Sequence, residues 1–220
     1  MSDIPKAQAL SDPSHSQAPG STRRDFLYIA TGATAAVGAA ATCWPLISQM
    51  WPDAATIAAG GPVDVDLTSV SPGQQILVMW RGHPIFVVNR TKENLATLRE
   101  KSLISNLRDP NSQVHQQPAY AQNWHRSIEP QWLVLVGICT HLGCIPLFEP
   151  NKNQHGPGWP GGYFCPCHGS KYDLAGRVYD GVPAPYNLPV PPYHMVDGKK
   201  ARIGENPKGQ KFNFDTIVQL

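Results

Sequence analysis

From Phe26 to Pro52 the chain runs for 27 residues without a charged side chain, directly after Arg23-Arg24-Asp25. As a helix this stretch would be about 40 Å long against a hydrocarbon core of about 30 Å, so it can span a bilayer with some tilt. Trp44 and Trp51 near its far end suit an interfacial belt, and Arg23 and Arg24 ahead of it direct the N-terminus to the cytoplasmic side. A buried helix of a soluble domain would normally keep a polar face over about seven turns, which this one lacks. A cleaved signal peptide is a second reading, with Ala39-Ala40-Ala41 as a cleavage site, and an uncleaved signal anchor is the third. The anchor accounts best for the length and the flanking residues.

Composition agrees with one anchored domain. The chain has 220 residues, 41% apolar and 15% charged, with a net charge of +2. A disordered chain would be more highly charged, a multi-pass membrane protein more apolar than a mean hydropathy of −0.28, and a nucleic-acid binder more basic. Residues 1–22 form a polar tail, 23–52 the anchor, 53–62 a neck ending in Gly60-Gly61-Pro62, and 63–220 the main domain. A ten-residue neck reaches about 34 Å when extended, so it reads either as an ordinary linker or as a hinge. The paired arginines before Phe26 and Leu27 resemble a twin-arginine export signal, which serves proteins that take up a cofactor before crossing the membrane.

The main domain reads as mostly β. Val63 to Leu67 alternates, Gln75–Trp80 and Pro84–Val88 are β-branched runs, and Arg81-Gly82-His83 between them turns a hairpin. Thr91 to Ser102 reads as a surface helix, with Leu95, Leu98 and Leu103 at near-helical spacing. Residues 105–130 read as a loop-rich polar excursion, and Gln131–Val136 is the strongest strand.

That strand leads into two short loops, Cys139-Thr-His141-Leu-Gly-Cys144 and Cys165-Pro-Cys167-His168-Gly-Ser170. Each offers a thiolate and an imidazole at close spacing, with a glycine that lets the backbone curl around a bound group. Zinc fingers keep like ligands together, whereas these loops mix them. Mixed loops fit a two-iron cluster better, one iron taking two thiolates and the other two neutral imidazoles. Cys144 and Cys167 are left over, read as holding the same places in the two loops, and Cys43 is the odd thiol, a small apolar filler of the anchor.

The two loops, the anchor ahead of a β domain and the later Gly181-Val-Pro-Ala-Pro185 together resemble the Rieske iron-sulfur subunits of bacterial and mitochondrial cytochrome bc complexes, from about Arg23 to the C-terminus. The resemblance implies a mainly β fold, a Rieske-type antiparallel domain whose cluster-binding part spans about 137–185. It implies one Rieske-type [2Fe-2S] cluster with Cys139 and Cys165 on the inner iron and His141 and His168 on the outer. A disulfide between Cys144 and Cys167 is part of the same pattern. Ser170 and Tyr172 would donate hydrogen bonds to sulfur, and Gly181–Pro185 would be the proline loop over the cluster, with Val182 a one-residue addition.

The implied activity is that of a ubiquinol-cytochrome c reductase subunit. His168 would face the quinol, electron and proton uptake being coupled through His168 and His141, and the neck would let the domain swing to a c-type cytochrome. Implied partners are a cytochrome b subunit and a c-type cytochrome subunit in a dimeric, membrane-anchored complex, with ubiquinol as substrate and no nucleic acid. The expected location is the bacterial inner membrane, with the iron-sulfur domain in the periplasm. A Rieske oxygenase would need a second iron site, for which the 52 residues after His168 leave no room. A Rieske subunit of an exported molybdenum oxidase is the alternative.

Overall fold

The computed structural model describes residues 22–53, 56 and 60–220, so residues 1–21 of the expected tail and 54, 55 and 57–59 of the expected neck lie outside the described residues. The chain divides into two units, one ending at Pro52 and one beginning at Asp53.

Among the described residues the first unit holds one helix, α1 (Arg23–Ser48), none of whose residues is buried. Its 26 residues make about 39 Å. It is long and apolar enough to cross a membrane by length and composition. Its start is fixed by a capping box, in which Thr22 Oγ1 accepts from the Asp25 amide while the Asp25 carboxylate accepts from the Thr22 amide. Beyond its end, Trp51 meets Trp44 edge-on, with ring centroids 5.9 Å apart.

The second unit is built from three antiparallel three-stranded sheets. The first joins β2 (Gln75–Trp80), β3 (His83–Asn89) and β4 (Trp132–Val136), with Ile85 opposite Val136 and Asn89 opposite Trp132. The second is ordered β1 (Val63–Asp66), β9 (Lys200–Ile203), β8 (Tyr193–Val196). The third, β5 (Leu147–Glu149), β6 (Gly162–Phe164) and β7 (Lys171–Tyr172), carries the ligand loops at its ends. Every residue of β4 is buried, which is why its sequence is continuously apolar rather than alternating. The hairpin turn is tighter than expected: Trp80 pairs with His83, so only Arg81 and Gly82 turn, both at positive φ (49° and 79°) as a two-residue turn of this hand demands. Phe86 on β3 stacks on Tyr163 of β6 with centroids 5.6 Å apart, tying the third sheet to the first.

The expected surface helix over Thr91 to Ser102 is broken in two, α2 (Lys92–Thr97) and α3 (Lys101–Ile104). At the break Glu100 turns extended (ψ 130°), and the Leu98 carbonyl accepts from Arg177 Nη2 at 2.9 Å in place of a helical partner. Leu98 and Leu103 are buried with Leu107, Leu174 and Ala175 in a second small core, so their spacing reflects burial rather than a surface face.

The polar excursion that follows is irregular, yet much of it lies inside the protein. Ser112, Gln116, Arg126 and Ser127 are fully buried. Arg126 spends its guanidinium on the Ala175 and Gly176 carbonyls and on Gln117 Oε1, and Arg90 bonds the Pro130 and His125 carbonyls and Ser127 Oγ. Burial pulls Arg90 down to about 10 and Arg126 to about 9, so both stay charged at neutral pH, solvated by carbonyls instead of water.

Candidate metal centre

β4 delivers the chain into the first loop through Gly137. A Cβ there would lie 2.4 Å from the Phe86 ring, so no larger residue fits between the strand and the loop. Each loop then closes with the same pair of backbone bonds. In the first, the Cys139 amide donates to the Cys144 carbonyl (2.7 Å) and the Gly143 amide to the Cys139 carbonyl (2.9 Å); in the second, Cys165 donates to Ser170 (2.8 Å) and Gly169 to Cys165 (2.9 Å). Gly143 (φ 84°) and Gly169 (φ 77°) adopt the left-handed conformation that closes each turn.

This register corrects one expectation. Cys139 matches Cys165 and Gly143 matches Gly169, so Cys144 matches Ser170 and Cys167 matches His141. Cys144 and Cys167 therefore do not hold the same places. The disulfide that joins them, with Cα atoms 6.7 Å apart, ties the closing end of one loop to the middle of the other.

The four expected ligands are sorted by depth. Cys139 and Cys165 are free thiols, 1% and 2% exposed. His141 is half-buried and His168 exposed, and their rings meet edge to face with centroids 4.7 Å apart. The Cys165 sulfur lies within 4.8 Å of those of Cys144 and Cys167, but these two are bonded to each other and offer no thiolate. Burial pushes the Cys165 thiol up, the Cys167 amide opposes this, and the neighbouring Cys139 thiol reinforces it. Each conflict is one that a bound cation relieves, since a metal-bound thiol is deprotonated. Two soft donors inside and two imidazoles outside fit an iron pair of unlike ligation.

The hydroxyls behind the loops occupy distinct positions. Tyr172 Oη is 3.2 Å from Cys139 Sγ, accepts from the Thr140 amide at 3.2 Å and lies 3.3 Å from Thr140 Oγ1, so its single proton faces two acceptors, the sulfur and the threonine oxygen. Burial, and then the adjacent sulfur, hold this phenol protonated far above its ordinary range. Ser170 Oγ accepts from the Ala184 amide at 3.1 Å, so the Gly181–Pro185 loop is fastened to the second ligand loop. Two contributors carried no sequence signal sufficient to single them out. Thr140 bonds both Tyr172 and the Tyr186 carbonyl (2.7 Å), and Arg108 reaches the Val182 and Ala184 carbonyls from more than 70 residues away. A hydroxyl between two ligands was a visible hint for Thr140; nothing local marked Arg108.

Residues 13–53 match the family described as "Ubiquitinol-cytochrome C reductase Fe-S subunit TAT signal", and residues 109–192 match "Rieske [2Fe-2S] domain". The ubiquinol-cytochrome c reductase iron-sulfur subunit of Bradyrhizobium diazoefficiens is 51% identical over 189 residues, covering 86% of this chain and 98% of that protein. The subunit of the same name from Blastochloris viridis is 52% identical over 186 residues, 83% of this chain and 93% of that protein. That of Allochromatium vinosum is 44% identical over 196 residues, 88% and 94% respectively. Shared residues over nearly the full length of these relatives, together with two loops that bring thiols and imidazoles to one place, establish that the chain belongs to the family of ubiquinol-cytochrome c reductase iron-sulfur subunits.

Proposed function

We propose that this chain takes one electron and one proton from ubiquinol and passes the electron to a c-type cytochrome, as the iron-sulfur subunit of a ubiquinol-cytochrome c reductase. The observation that carries the reading is the depth-sorting of the four donors, buried thiols of Cys139 and Cys165 behind the edge-to-face rings of His141 and His168. Those residues would hold one Rieske-type [2Fe-2S] cluster, the thiolates on the inner iron and the imidazoles on the outer. When bound, such a cluster supplies a one-electron carrier whose potential, about −150 to +300 mV, is raised by its neutral ligands.

The chain's own residues supply the rest. The exposed ring of His168 receives the quinol hydroxyl and the proton that leaves as the electron does, with the ring of His141 packed edge to face beside it. Tyr172 and Ser170 donate to sulfur, which stabilises the more negative reduced state and raises the potential. The Cys144–Cys167 disulfide keeps the loops from parting. Residues 53–62 act as the hinge on which the domain 63–220 moves between a cytochrome b subunit and a c-type cytochrome subunit of a dimeric complex. Residues 23–52 serve as an uncleaved twin-arginine signal anchor in the bacterial inner membrane, with the N-terminus cytoplasmic and the iron-sulfur domain periplasmic.

The relatives favour this reading over an exported molybdenum oxidase subunit. The deciding experiment is the EPR spectrum of membranes containing the chain, with and without an inhibitor of the quinol site. A cluster signal that changes with the inhibitor is expected, and a signal indifferent to it would reject quinol oxidation.

A further inference from the structure

The excursion before β4 has no role in the reading above, yet its residue Arg108 ends on the loop that covers the candidate centre. Main-chain bonds first bring the two segments together. The Arg108 amide donates to the Val178 carbonyl (3.0 Å), the Asp180 amide donates to the Asn106 carbonyl (2.8 Å), and Leu107 bridges Tyr179. The guanidinium then lands on three residues of the covering loop and its approach. Nη1 donates to the Ala184 carbonyl (2.8 Å), Nη2 to the Val182 carbonyl (3.1 Å), and Nε lies 3.5 Å from Asp180 Oδ1.

Ala184 is fully buried and is held on both sides. Its carbonyl is taken by Arg108, while its amide donates to Ser170 Oγ at 3.1 Å. The Ser170 carbonyl in turn accepts the Cys165 amide at 2.8 Å. A serine hydroxyl that accepts one bond still has a single proton to give, and accepting makes it a better donor. Ser170 is itself buried, so that proton has few destinations.

We infer that Arg108 is a positioning residue of the electron-transfer site: it fixes the Gly181–Pro185 loop so that the Ala184 amide holds Ser170 with its hydroxyl turned to the sulfur side. The planar fork matters, because a lysine would keep the charge but could not bond two carbonyls in one fixed plane. The inference rests on the cluster-binding reading given above.

The test is a redox titration, followed by EPR, of the full chain in its membrane complex, with Arg108→Met, Arg108→Lys, Ser170→Ala and the double variant Arg108→Met/Ser170→Ala. Arg108→Met is expected to lower the midpoint potential, Arg108→Lys to fall between Met and the unaltered chain, and the double variant to match Ser170→Ala. An unshifted Arg108→Met overturns the inference. So does an Arg108→Lys equal to the unaltered chain, which would leave charge as the whole effect, or a double variant whose shift is the sum of the two. Should Arg108→Met fail to assemble, Arg108→Lys decides by the same rule. Loss of the EPR signal from the unaltered chain would reject the cluster itself, whereas a normal signal with an unshifted potential rejects only the role of Arg108.

Discussion

The loops 139–144 and 165–170 share one backbone, a first cysteine and a glycine, and differ in the side chains at the other positions. Both close through the same two main-chain bonds and a left-handed glycine. The first is backed from within: Tyr172 sits on Cys139, and Thr140 links that phenol to the Tyr186 carbonyl. The second turns outward, with Pro166, Cys167 and His168 exposed, and is held from the side by Ser170 and Ala184. Equal backbones thus position equal buried thiols, and each loop then turns its next residues outward, Leu142 and Gly143 in the first and Pro166 to His168 in the second. Within each loop the thiol lies deep and the imidazole nearer the surface, which is what a centre needs when one side stays dry and the other meets a substrate.

The harshest way to break the comparison is to remove an imidazole. His141→Ala and His168→Ala should each abolish the cluster EPR signal, because three donors cannot complete two irons; a normal signal in His168→Ala would sink the ligand assignment. Next comes the covalent tie between the loops. Closing a segment of 23 residues, the Cys144–Cys167 bond is worth about 3 kcal/mol, so the Cys144→Ala/Cys167→Ala pair should lose cluster at a markedly lower temperature. Unchanged thermal loss, followed by visible absorbance, would show that each loop stands alone.

Backbone equivalence can be tested directly. A Cβ at Gly143 or Gly169 meets no neighbour within 4 Å, so Gly143→Ala and Gly169→Ala should pay only for the left-handed backbone, about 1–2 kcal/mol each and nearly equal in thermal unfolding. A large inequality would show that the shared pattern is superficial. The smallest effects sharpen the contrast: on the proposed function Tyr172→Phe and Ser170→Ala would each remove one hydrogen bond to sulfur, about 1 kcal/mol, which for a one-electron couple is roughly 40 mV lower in redox titration. An unshifted potential in both would mean the hydroxyls serve packing alone.

Much of the fold was legible because it was repetitive or extreme. The uncharged run predicted α1, and the β-branched runs predicted β2, β3 and β4: the side chains of β3 and β4 fill a dry interior, while β2 pairs along β3 with Leu77 and Met79 exposed. The helix over Thr91 to Ser102 was misread because leucine spacing records burial, not what takes the Leu98 carbonyl, and Arg177 lies 79 residues further on. The excursion was legible as polar and loop-rich but not as buried, because the burial of Arg126 and Gln116 depends on partners such as the Ala175 carbonyl and Gln219 that no local window contains.

By itself the sequence determined the chemistry: which donors are present, that each loop carries both thiol and imidazole, and that an anchor precedes them. These are local properties, set by residue type and spacing. Only the tertiary structure decided depth and register. It put Cys139 and Cys165 inside and His168 outside, matched Cys144 with Ser170 rather than Cys167, and brought Arg108 to Ala184. Burial and long-range hydrogen bonds are properties of the packed chain, because each depends on groups that come together only when the sheets have closed.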